Sequence, residues 1–279
     1  MNFLYSYRYF LSIASIKSSK SPSNTKNSHI LKIKQVYPYV KEIHQPEIQG
    51  RIHEVYFIKT LNNDEFVCRF SQKNIAVHNL YVSRLLNFHN IKVPNISLHK
   101  FNDEYCETYP FIKGKTFYER IEENISEEAK LQVYNQLVHI VCKISQIPYK
   151  YKTKTEVPLT AKIAIDFFKK LNMNNVALCH TDLHAKNVVL DNQDNVVALL
   201  DLDAVYPESL AFAFINIIKD AQTYGCNTEN LIKLVQGTYV NPKFIGIKAQ
   251  TKLYSGIKRI SKSMLSDSMI KQLLKIRLK

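Results

Sequence analysis

Residues 179–187 read Cys-His-Thr-Asp-Leu-His-Ala-Lys-Asn, and residues 199–204 read Leu-Leu-Asp-Leu-Asp-Ala. Between them lie two β-rich runs, Asn187-Val-Val-Leu190 and Val196-Val-Ala-Leu-Leu200, separated by the turn formers Asp191-Asn-Gln-Asp-Asn195. The pattern predicts a hairpin. Its second arm would bring Asp201 back beside Asn187. Asp182 stands five residues before Asn187 on the same loop, so a carboxylate, an amide and a second carboxylate converge. A carboxylate can orient a hydroxyl or accept its proton, and an amide oxygen with a carboxylate suits a hard divalent cation.

Upstream, the pattern is strand-like. Val55-Tyr-Phe-Ile58 and Glu65-Phe-Val-Cys-Arg-Phe70 are β-rich, and Leu61-Asn-Asn-Asp64 supplies the turn of a second hairpin. Residues 75–89 carry a helical period through Val77, Leu80, Tyr81, Leu85 and Leu86. Lys92-Val-Pro94 ends that helix, because the residue before proline is pushed to extended backbone. Two short strands follow near 95–101 and 104–111. After Gly114 helices dominate, one over 126–145 with Leu131, Tyr134, Leu137, Val138, Val141 and Ile144 on one face, another over 160–171. A small β-rich half followed by a larger helical half predicts a bilobal α+β fold with a cleft between the lobes. The boundaries implied are a flexible basic segment over 1–29, with 17–28 as a linker, a first lobe over 30–113 and a helical lobe over 114–279.

The loop has the spacing of the H-R-D-L-x-x-x-N pattern of protein kinases. His180-Thr-Asp-Leu-His-Ala-Lys-Asn187 with Leu200-Asp-Leu-Asp-Ala204 resembles the aminoglycoside phosphotransferase and choline kinase superfamily of kinase-like enzymes. The resemblance implies a protein-kinase-like fold, with a small antiparallel β N-lobe and a larger, mainly helical C-lobe. It implies transfer of the γ-phosphoryl of ATP or GTP to a hydroxyl of a small molecule such as an aminoglycoside, amino alcohol or sugar, with Mg2+ as cofactor, in the cytoplasm. By resemblance Asp182 is the catalytic residue, Asn187 and Asp201 hold the metal, and Asp203 assists the metal or the substrate. His180 braces the loop. Gly50-Arg-Ile-His-Glu-Val-Tyr56 stands where the nucleotide loop belongs. Phe66-Val-Cys-Arg69 stands as the strand presenting a cation to the α- and β-phosphates. Tyr109-Pro-Phe-Ile-Lys-Gly-Lys-Thr116 stands at the hinge.

The chain departs from that pattern on the phosphate side. Gly50 is the only glycine before residue 114, so no glycine-rich phosphate loop exists. The cation is Arg69 instead of lysine, with a planar fork that reaches differently. The helix position expected to carry its carboxylate partner is Asn79, which leaves Glu54 or Glu65 to substitute. These departures open a second reading, a non-catalytic nucleotide-binding pseudokinase. A third, the Asp201-Leu-Asp203 signature of a metal-dependent glycosyltransferase, lacks the alternating strands and helices those enzymes show. The alternation of His180, Asp182 and His184 could ligate a hydrolase metal, but no downstream cluster completes it.

Composition bounds the rest. Five scattered cysteines without a CxxC pair read as reduced thiols. No apolar run reaches the length of a membrane span, and residues 9–16 form only a serine-interrupted apolar run with no clean cleavage site. The net charge of +14 belongs to the ends. Residues 1–41 carry seven basic and no acidic side chains, residues 243–279 ten and one, and the stretch between them 21 and 23. Such ends could favour an anionic membrane surface, and residues 269–279 form a basic amphipathic helix candidate. No nucleic-acid-binding pattern accompanies them.

Overall fold

The structure is a computed structural model that describes residues 22–46, 53–102, 104–148 and 176–238. Residues 1–21 of the basic N-terminal stretch, the basic stretch 243–279, the apolar run 9–16, Gly50 and the helix expected over 160–171 lie outside the described residues, whereas residues 22–41 are described.

The first lobe begins with helix α1 (Pro22–Val36) and continues through β1 (Val40–His44), β2 (Glu54–Thr60), β3 (Glu65–Gln72), α2 (Lys73–Phe88), β4 (Ser97–Phe101) and β5 (Glu104–Pro110). The strands form one antiparallel sheet in the order β1-β2-β3-β5-β4. The β2–β3 turn closes with Asn63 at φ 63° and Thr60 N–H donating to Asp64 O at 2.9 Å; asparagine tolerates that left-handed backbone better than most residues. Strand alternation then sorts the side chains. Tyr56, Ile58, Cys68, Phe70 and Cys106 face α1, where Ile33 packs among them. Val55, Val67 and Tyr109 belong to the larger core that includes Val82 and Leu86 of α2. Residues of β3 and β5 with the parity of Val67 and Tyr109, including Arg69 and Glu107, share the second face.

Residues 22–28, read above as part of a linker, are the first turns of α1. Their polar sequence carries no apolar period, and the helix is held from its later turns. There His29 stacks on Phe70 with ring centroids 3.8 Å apart. Its Nδ1 lies 2.9 Å from Glu54 Oε2 and its Nε2 3.0 Å from Glu104, while Lys32 Nζ reaches Glu104 at 2.5 Å.

After β5 the chain passes Gly114, whose φ of +149° disfavours any side chain. A Cβ there would stand 2.3 Å from Leu190 O. Strand β6 (Lys115–Thr116) follows, then α3 (Phe117–Glu122), started by a reciprocal Thr116–Glu119 capping box. Helix α4 (Glu127–Ser145) is capped by Ser126, whose hydroxyl accepts from Ala129 N–H. Its buried face is Val133, Tyr134, Leu137, Val138, Val141 and Ile144, close to the face expected from the period. Next come β7 (Val176–His180), β8 (Val188–Leu190), β9 (Val196–Leu199), β10 (Val205–Ser209), α5 (Leu210–Thr223) and α6 (Glu229–Thr238). The expected hairpin is β8–β9, with β6 alongside it; β10 pairs with β7. After Asp201 the chain runs through the short strand β10 and then turns helical at Leu210. Pro207 disguises that strand; it is tolerated because a two-stranded sheet has only edges. No helix among the described residues is long and apolar enough to cross a membrane.

Candidate active site

The loop after β7 is fixed from below by buried and part-buried hydrogen bonds. His180 is fully buried, and its Nε2 donates to Leu200 O at 2.7 Å, tying the loop's entry to the end of β9. Burial disfavours its charged form, so its pKa is lowered and the ring is neutral. That Nε2 is spent on the backbone, while Nδ1 is buried with no hydrogen-bond partner. Thr181 N–H and Oγ1 both donate to Ala204 O, at 2.8 and 2.9 Å. Asn216 of α5 donates to Thr181 O at 2.5 Å. The Ala185 N–H donates to Asp220 Oδ2 at 2.8 Å, and Tyr134 OH donates to the same oxygen at 3.0 Å. Burial raises the Asp220 carboxyl to about 6.

Above this base the predicted residues gather. The Asp182 side chain is 59% exposed, open to an incoming group. Asn187 is buried, and its Nδ2 donates to Asp182 O at 2.8 Å; its amide oxygen remains as an acceptor for a cation. Asn187 O accepts from Leu200 N–H at 2.9 Å, so the hairpin does bring Asp201 beside it. Asp201 stands at φ 61°, ψ 59°, a left-handed conformation that aspartate tolerates better than most residues. Burial and the adjacent Asp203 carboxylate push Asp201 well above the usual carboxylate range, and the charge of Asp182 adds to the effect.

Arg69 crosses from the first lobe to this cluster. Its Nη2 donates to Asp203 Oδ2 at 2.8 Å, and its Nη1 lies 3.6 Å from Asp201 Oδ1. His53 Nε2 lies 3.4 Å from Asp203 Oδ2. Burial works against the Asp203 carboxylate, yet Arg69 and then His53 hold its pKa well below the usual range. Burial likewise disfavours the Arg69 cation, and Asp203, Glu107 and Asp201 more than offset it. Asn79 does not meet Arg69; its Nδ2 donates to Glu107 Oε2 at 3.0 Å. Glu54 is engaged by His29 and Tyr56, and Glu65 stands opposite Lys59 at the far end of β3. Neither substitutes for the missing helix carboxylate.

The donors present fit a magnesium ion. No cluster of three or more His, Cys, Asp or Glu side chains surrounds one point among the described residues. Magnesium needs no such cage, because it keeps several waters and takes one or two carboxylates together with substrate phosphates. Asp201, Asp203 and the Asn187 amide are oxygen donors of that kind. Asp203 Oδ1 is buried and has no hydrogen-bond partner.

Sequence reasoning missed Glu107, Asp220, Asn216 and His53. The available signal was a charged or amide side chain inside an otherwise apolar run: Glu107 between Cys106 and Tyr109, Asn216 and Asp220 within the helix of Phe214, Ile217 and Ile218.

No protein-family model and no curated protein matches the sequence. Solved structures match the fold over nearly the whole chain. An ADP-bound aminoglycoside phosphotransferase is 14% identical at a TM-score of 0.58, covering 91% of this chain and 97% of its own. A macrolide 2'-phosphotransferase from Brachybacterium faecium is 11% identical at 0.59, covering 90% and 98%. An aminoglycoside 2'-phosphotransferase bound to GDP is 13% identical at 0.59, covering 90% and 98%. The chain therefore has the bilobal α+β fold of the kinase-like small-molecule phosphotransferases.

Proposed function

We propose that the chain moves the γ-phosphoryl group of ATP or GTP to a hydroxyl of a small molecule. One observation carries the reading: an exposed carboxylate, Asp182, stands on a rigidly braced loop beside an amide and an acidic pair, and a cation from the other lobe reaches that pair. Phosphoryl transfer asks the protein for positioning and charge neutralisation more than for covalent chemistry, and these are the groups it uses. Asp182 would orient the acceptor hydroxyl and take its proton. Asn187 and Asp201 would hold Mg2+, which neutralises charge on the phosphates when bound. Asp203, which here pairs with Arg69, would assist the metal or the substrate, and Arg69 would turn its fork to the α- and β-phosphates. The fold neighbours support a small-molecule acceptor: they are aminoglycoside and macrolide phosphotransferases, and another is an amicoumacin kinase in complex with AMP-PNP and Ca2+.

The test is incubation with Mg·ATP or Mg·GTP and a panel of aminoglycosides, macrolides, amino alcohols and sugars, with mass detection of a phosphorylated product. The expected result is product from at least one class, lost in Asp182→Ala. A protein that binds nucleotide yet phosphorylates nothing across the panel would instead be the non-catalytic nucleotide-binding module.

A further inference from the structure

Glu107 lies on β5 directly opposite Arg69 on β3, each the other's partner in the register. Side chains so paired share a face, with Cβ atoms about 5 Å apart. Glu107 is 1% exposed. Its two oxygens are taken separately: Ser71 Oγ donates to Oε1 and Asn79 Nδ2 donates to Oε2. Both donors are neutral, so they solvate a carboxylate without cancelling its charge. The guanidinium of Arg69 makes its ion pairs with Asp203 and Asp201, and the Glu107 charge across the register further favours the Arg69 cation.

We propose that Glu107 is the positioning counter-charge of the phosphate-binding cation, moved from helix α2 to strand β5. This rests on the phosphotransferase reading above. Arg69 faces three carboxylates, and two of them, Asp201 and Asp203, belong to the cluster assigned to the metal. When a metal draws on those two, Glu107 remains to hold the buried guanidinium in place. The residue on α2 that could have carried this charge, Asn79, is instead a hydrogen-bond donor that fixes the Glu107 carboxylate. Asn79 Oδ1 is buried with no hydrogen-bond partner, as expected where the side chain is kept for its N–H. The charge has changed element while staying beside the same cation.

Two measurements test this. The first needs no nucleotide: a double-mutant cycle of Arg69→Met and Glu107→Gln, read by urea unfolding. The expected result is that the two losses are non-additive; additive losses overturn the proposal. The second is calorimetric titration of AMP-PNP with Mg2+. Glu107→Gln should weaken binding by about ten- to a hundredfold, the size of one charge-assisted interaction. Glu107→Gln combined with Asn79→Glu, which returns the charge to α2, should recover most of it. A purely structural Glu107 would lower the melting temperature without weakening nucleotide binding, or would give no recovery with charge on α2; either result overturns the proposal. If the wild type binds no nucleotide, the phosphotransferase reading fails and the positioning role fails with it. In that case non-additivity in the cycle would still show the pair itself.

Discussion

Asp220 of α5 gives the sharpest expectation for the loop's foundation, because its two replacements should differ in stability by several kcal/mol and only one of them should depart from wild type in a pH-dependent way alone. One oxygen, Oδ2, accepts from both Ala185 N–H and Tyr134 OH, so a single amide oxygen can replace it. The carboxyl's folded pKa is raised by burial from 3.8 to about 6. A raised folded pKa means that this group's stabilisation is complete below about pH 3.8 and is lost as pH rises through about 6. The loss by pH 7 is about 3 kcal/mol, from about 2 units at about 1.4 kcal/mol each. Asp220→Asn mimics the protonated form. It should match the wild type near pH 4 and exceed it by up to about 3 kcal/mol at pH 7.5. Asp220→Ala leaves Tyr134 OH and the Ala185 N–H, both fully buried, without an acceptor. At about 1–3 kcal/mol each, it should fall about 2–6 kcal/mol below Asp220→Asn at every pH. The chain has no tryptophan, so urea unfolding followed by far-ultraviolet circular dichroism from pH 4 to 8 is the assay. An Asp220→Asn protein that is less stable than wild type at pH 7.5, or a difference that does not change with pH, would refute the reasoning.

Gly114→Ala should destabilise by about 2–4 kcal/mol in urea, since its Cβ meets Leu190 O at 2.3 Å on a backbone with φ of +149°. Burial works against the Glu104 carboxylate, but Lys32 and His29 lower its pKa below 4.5. Its contribution is therefore present above about pH 4.5 and lost as pH falls through the lower folded value. Glu104→Gln should flatten that acid limb of the stability curve and leave the neutral-pH slope unchanged. Asp182→Ala should lower kcat by about a hundredfold or more and change nucleotide affinity little, because a proton acceptor contributes about 10²–10⁴ to rate; steady-state kinetics with the acceptor found in the panel checks the split.

Legibility in the sequence followed locality. The 180–187 loop and the β8–β9 hairpin were readable because the whole unit lies within 25 residues and its turn chemistry is explicit. Helices α2 and α4 were readable because their apolar periods are long. Helix α1 was not: its first turns are polar, and its buried residues are set by a sheet made later in the chain. Strands β7 and β10 pair across 24 residues of intervening loop and hairpin, and neither run is long enough to declare itself. The site divided in the same way. Asp182, Asn187 and Asp201 share one local motif, whereas the surroundings of Arg69 depend on the registry of β3 with β5. The resemblance pointed to position 79 for the counter-charge, whereas cross-strand pairing, invisible to spacing along one helix, sets Glu107 opposite Arg69.

The central claim is that the Asn187–Asp201 cluster is a metal–nucleotide site. Calorimetric titration of AMP-PNP with and without Mg2+, in the wild type and in Asp201→Ala, tests it most directly. The expected result is that Mg2+ strengthens binding to the wild type by about tenfold or more, the size of a modest charge-assisted interaction, and gives Asp201→Ala no such gain. An affinity indifferent to Mg2+ in the wild type, or the same gain in Asp201→Ala, would contradict the account.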